Sequence, residues 1–153
     1  VLGFLTLITI GFGWGKPVPF NPYNLKYPRW GPAMVAAAGP FSNLFFGMVC
    51  CLAVKPLIPL LGLQNLLVQF LVYTGFLNFM LMLFNLIPIA PLDGSKALSS
   101  LLASPKYQGI RLTLETQGPM LLFGLVILDS FLHIGVFSWI STGAHQLLTW
   151  ILG

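Results

Sequence analysis

The sequence predicts an all-α fold, a polytopic transmembrane helical bundle with a proline-rich interfacial hairpin. Three observations predict it. First, 57% of the 153 residues are hydrophobic and only 7% are charged, with a mean hydropathy of +0.90, whereas a soluble domain is about 25% charged. Second, the apolar residues gather in runs long enough to cross a hydrocarbon core of about 30 Å; backbone polar groups in lipid must pair internally, so these runs are helices. Third, residues 13–31 concentrate Pro17, Pro19, Pro22 and Pro28 among Trp14, Tyr23, Tyr27 and Trp30. Prolines forbid a continuous helix there, and Trp and Tyr suit the headgroup level. A formal net charge of +4 is a few loop cations rather than a phosphate-binding patch. This composition excludes a soluble cytosolic domain, a disordered tail and a nucleic-acid partner; the lipid bilayer is the expected surroundings.

Taken in order, residues 1–12 are apolar but too short to span alone, and read as a helix end or a re-entrant piece. The chain starts at Val1, already apolar, without methionine, signal-peptide n-region or cleavage site. It is therefore expected to belong to a longer protein whose beginning lies upstream. Residues 32–54 form the first full span and 66–87 the second; 118–134 and 136–152 form a final pair broken near Gly135. Loops are expected at 13–31, 55–64 and 88–117. One membrane domain covers 1–153. Loop 13–31 carries Lys16, Lys26 and Arg29, and the later loop carries Lys96, Lys106 and Arg111, while 55–64 carries Lys55 alone. Two spans separate the basic loops, so 13–31 and 94–111 share one side, the cytoplasmic one by the positive-inside rule.

Polar residues at membrane depth are the candidates for function. Asp93 follows the second span, after Pro88 and Pro91, and an Asp-Gly turn at a helix end is its plain alternative. Asn85, eight residues earlier, has an amide suited to a developing oxyanion or to an interhelical hydrogen bond. Asn43 follows Ala36, Ala37, Ala38 and Gly39, a smooth face for close backbone approach, with Pro40 interrupting the ladder. It would hold a neighbouring helix or a substrate strand. Asn78 is a weaker case of the same kind. Asp129 and His133 share a helix face and read as an ion pair at the far membrane surface, or else as a metal pair or proton relay. His145 reads as structural, Glu115 as the start of the fourth segment, and the adjacent Cys50 and Cys51 as unpaired thiols.

Three strings, GWGKPVPFNP (13–22), AAAGPFSNLFFG (36–47) and FNLIPIAPLDGSKAL (84–98), together resemble the site-2 protease family of intramembrane zinc metalloproteases, peptidase family M50, in its compact bacterial and archaeal branch. The tail LETQGPMLLFGLVIL (114–128) is similar to that branch's last helices. The resemblance implies one catalytic zinc, held by two histidines of a His-Glu-x-x-His motif and by the aspartate of the Asp-Gly motif, here Asp93. The motif's Glu is the general base. By the same resemblance Asn85 steadies the substrate carbonyl, Asn43 contacts substrate, and the hairpin with Pro17, Val18 and Pro19 lines the path of a membrane-spanning protein substrate. The implied location is a prokaryotic inner membrane. No His-Glu-x-x-His occurs in residues 1–153, and the remaining zinc ligands are expected upstream of Val1. The alternative is a catalytically inactive relative serving as a membrane subunit of a larger complex. A small transporter using Asp93 and Asp129 as proton sites requires the resemblance to be accidental.

Overall fold

The computed structural model describes residues 30–102 and 104–153. The expected hairpin, with Pro17, Val18 and Pro19, and the segment 1–12 lie outside these residues. Among the described residues every regular element is helical: α1 (Gly31–Leu61), α2 (Leu66–Asn85), α3 (Asp93–Leu101), a 3-10 turn (Pro105–Tyr107), α4 (Gln108–Leu132) and α5 (Val136–Leu152). Helices α1, α2 and α4 are long and apolar enough to cross a membrane. At 1.5 Å per residue, the 17 residues of α5 reach about 25 Å.

α1 starts with Pro32 in its first turn, where the missing N–H costs nothing. It then runs seven residues beyond the expected end at Val54, through Pro56 and Pro59, to Gly62 at φ +77°. The expected 55–64 loop is thus mostly helix. In apolar surroundings the remaining N–H and C=O groups have no water to turn to, so the helix outlasts its prolines. Asn65 opens α2 by accepting the Leu67 N–H on Oδ1 at 2.9 Å, an N-cap that fixes the turn between the two helices.

α1 and α2 pack on small residues. A Cβ on Gly47 would lie 2.5 Å from the Phe79 ring, and one on Gly75 would meet Cys51 Sγ and the Gly47 carbonyl. Without a hydrophobic drive between helices in lipid, such close backbone approach is what holds them. α5 completes the core: Cys51, Phe79, Ala144 and Leu148 are buried together, with Leu44, Phe76 and Leu83 against them. Cys50 and Cys51 are free thiols.

The 88–117 region differs from expectation. It holds α3, the 3-10 turn and the first ten residues of α4. Its polar composition reads as loop, but its hydroxyls satisfy their own backbone: Ser95 Oγ donates to the Leu92 carbonyl at 2.7 Å, Ser100 Oγ to Lys96 at 3.0 Å and Thr116 Oγ1 to Leu112 at 2.7 Å. Glu115 consequently sits inside α4, where it accepts from Arg111 Nε at 3.1 Å, and does not mark a helix start. α4 stands largely outside the core, with Met120, Phe123, Phe131 and Leu132 exposed.

Candidate metal centre

Asp93 is the first residue of α3, and two neighbours set its position. Gly94 lies directly against the carbonyl oxygens of Leu86 and Ile87, so the turn from α2 folds back on itself and brings Asp93 beside the end of α2. The expected Asp-Gly stop is therefore a helix start. Hydrogen bonds from Leu92 N–H to Ile89 O at 3.0 Å and from Ser95 N–H to Leu92 O at 3.1 Å close this turn. α4 touches it as well, through Gly118 against Ala90.

The Asp93 side chain points across to α1. A Cβ on Gly39 would fall 2.6 Å from Asp93 Oδ2. Gly39 is eight residues into α1, about 12 Å along its axis. The carboxylate is thus carried below the end of the bundle, with 27% of the side chain exposed. Its other oxygen, Oδ1, accepts from Lys96 Nζ at 3.2 Å, an i,i+3 pair on one helix face. The positive end of the α3 dipole adds to the stabilisation of the charge.

The 36–47 and 84–98 strings therefore meet in space at Gly39 and Asp93. Asn43 lies one turn beyond Gly39 on the same face of α1, half-buried, and Asn85 is the half-buried last residue of α2. Among the described residues neither side-chain amide has a hydrogen-bond partner. Asn78, in contrast, donates to the Thr74 carbonyl at 2.8 Å and is accounted for within its helix. The steric part played by Gly39 and Gly94 and the ion pair of Lys96 were absent from the sequence reading. Only the small-residue face around Gly39 hinted at a close approach.

Asp129 and His133 do not come together. Asp129 accepts the Val136 and Phe137 N–H groups at 2.8 and 3.4 Å, capping α5, while His133 turns the chain in the left-handed region at φ 51° with an exposed side chain. The expected ion pair gives way to a cap because the N–H groups at a helix start compete well for a carboxylate. His145 is exposed on α5.

The family model described as "Peptidase family M50" matches residues 61–128, a stretch that includes Asn85 and Asp93. Over 105 residues the chain is 35% identical to a protein of Bacillus subtilis (strain 168) named "Putative zinc metalloprotease YwhC", a match covering 65% of this chain and 48% of the relative. Over this stretch the chain is similar to peptidase family M50. The matched stretch takes in the whole of α2 and most of α4, both of membrane-spanning length. The chain spans about half the length of the curated relative it matches. No solved structure matches it.

A hydrolytic zinc site takes three protein ligands and a water. Among the described residues, no three His, Cys, Asp or Glu side chains gather to hold a metal ion. Asp93 fits as one oxygen ligand: it is a carboxylate fixed at its backbone and turned toward the bundle.

Proposed function

We propose that this chain forms part of an intramembrane zinc endopeptidase that hydrolyses peptide bonds in membrane-spanning protein substrates, with Asp93 as a metal ligand. The observation that carries this reading is the meeting of Asp93 Oδ2 with Gly39 of α1, which directs a carboxylate into the seam between α1 and α3. Bound zinc supplies a water acidified toward neutral pH. The chain's own residues hold and orient. Asp93 holds the metal from one side. Asn85, with an unpaired amide, donates a hydrogen bond to the scissile carbonyl oxygen as negative charge develops on it. Asn43 binds the unwound substrate backbone on the α1 side. By the family resemblance, Pro17, Val18 and Pro19 are the residues that line the path of the substrate, which must be opened because a transmembrane helix exposes no free carbonyl. The protein works in a prokaryotic inner membrane with residues 13–31 and 94–111 cytoplasmic.

The test is Asp93→Ala in the full-length protein, with cleavage of a model membrane-spanning substrate and bound zinc measured together. The expected result is loss of cleavage and of about one zinc per chain, with helix content unchanged. Undiminished proteolysis by the variant would overturn the reading. A full-length protein that is folded, free of zinc and inactive on every substrate would instead favour the non-catalytic subunit.

A further inference from the structure

We propose that Gly39 is a positioning residue for the metal centre: the space left by its missing side chain is the seat of Asp93 Oδ2, and this seat sets the direction of the carboxylate. The inference rests on the reading of Asp93 as a metal ligand and adds a second residue, on a different helix, that acts through it.

An added side chain at position 39 and the observed carboxylate cannot occupy the same place. A Cβ at position 39 would sit 2.6 Å from Oδ2 and 3.6 Å from Cγ, well inside contact distance for the first. The backbone of Asp93 cannot retreat, because Gly94 already rests on the carbonyls of Leu86 and Ile87. The carboxylate itself is the soft coordinate: Asp χ2 is broad, and Lys96, with a side chain 42% exposed, follows Oδ1 at little cost. Any added atom on Gly39 therefore turns the carboxylate out of its seat. α1 loses nothing intrinsic by the change, since Ala is a better helix former than Gly. The effect thus falls on the direction of the carboxylate and spares helix formation. Groups that orient a ligand, mutated, cost about 10- to 100-fold in metal affinity.

The experiment uses the full-length protein in detergent. Zinc affinity by chelator competition and the visible spectrum of the cobalt-substituted protein are measured for Gly39→Ala, Asp93→Ala and Gly124→Ala. Gly124 is an α4 glycine whose added Cβ meets nothing within 4 Å, so it controls for helix propensity. Gly39→Ala is expected to bind zinc about 10- to 100-fold more weakly with an altered cobalt spectrum, while Gly124→Ala matches the parent. Thermal unfolding of the metal-free proteins supplies a readout independent of metal. Gly39→Ala is expected to raise the melting temperature less when Asp93 is present than in Asp93→Ala, where the seat is empty and only the helix propensity of Ala acts. Parent-like affinity and spectrum in Gly39→Ala, or an equal melting shift in both backgrounds, overturns the inference. If Gly39→Ala does not fold, recovery of folding in the double variant upholds the contact and its absence refutes it. Full zinc affinity in Asp93→Ala overturns the ligand reading itself, and the inference with it.

Discussion

At the scale of single residues, the carboxylates of this chain do different work, and burial separates them. Asp129 is half-buried and accepts two backbone N–H groups at the start of α5. Glu115 pairs with Arg111 on a face where both side chains are more than 40% exposed. A capping carboxylate replaced by Ala costs about 1 kcal/mol, and an exposed i,i+4 pair about 0.3–0.5 kcal/mol. Asp129→Ala is therefore expected to lower unfolding stability by about 1 kcal/mol, and Glu115→Ala by less than half of that, as read by denaturant titration in detergent micelles. Equal losses would mean that the α4–α5 turn does not depend on its cap. Asp129 also shows where reading residues in sequence reaches its limit. The i,i+4 spacing to His133 placed both on one helix face, yet the winning partner lies seven residues away across the Gly135 turn, which only the folded backbone brings near.

At the scale of elements, the helices whose limits are legible in sequence are those bounded by local chemistry. α5 begins after Gly135, at φ +88°, and covers the expected 136–152; α2 begins at its Asn65 cap. The misplaced limits lie where a local rule meets a tertiary or solvent demand. Pro56 and Pro59 end α1 by rule, but the apolar medium keeps it going. The polar 93–117 stretch reads as loop, but Ser and Thr hydroxyls turn back on the helix backbone. The same distinction holds at the site. Asp93 is legible because a carboxylate at membrane depth stands out, whereas Gly39 and Gly94 carry no chemistry of their own and matter only for what approaches them. The α1–α2 contact gives a test at this scale. Gly47→Val drives its side chain into the ring of Phe79, which is fully buried, and overpacking of this kind costs about 1–3 kcal/mol. The double variant Gly47→Val, Phe79→Ala vacates the ring's space and is expected to lose less than the sum of the two single losses. Additive losses in the double variant would show that α1 and α2 do not meet at this pair.

At the scale of the whole molecule, the bundle's two ends differ in charge and in purpose. The Gly62–Asn65 turn joins antiparallel α1 and α2 at one end. Asp93, α3 and the 3-10 turn occupy the other, close to the start of α1. Lys96, Lys106 and Arg111 follow Asp93 in the sequence, and Lys55 alone lies near the first end. Lysine and arginine bias toward the cytoplasm sets orientation, so the proposed topology has the carboxylate approach its seat from the cytoplasmic side. Single cysteines in a background with Cys50 and Cys51 replaced by Ala make this measurable. In intact cells a membrane-impermeant thiol reagent is expected to label Gln64→Cys and to spare Ser104→Cys, while inverted membrane vesicles reverse the pattern. Labelling of both positions from one face would place the α1–α2 hairpin without a crossing and would remove the basis for a buried metal site. Labelling with the opposite polarity would keep the bundle but turn the entry to Asp93 outward, and substrates would then have to be cut near their external ends.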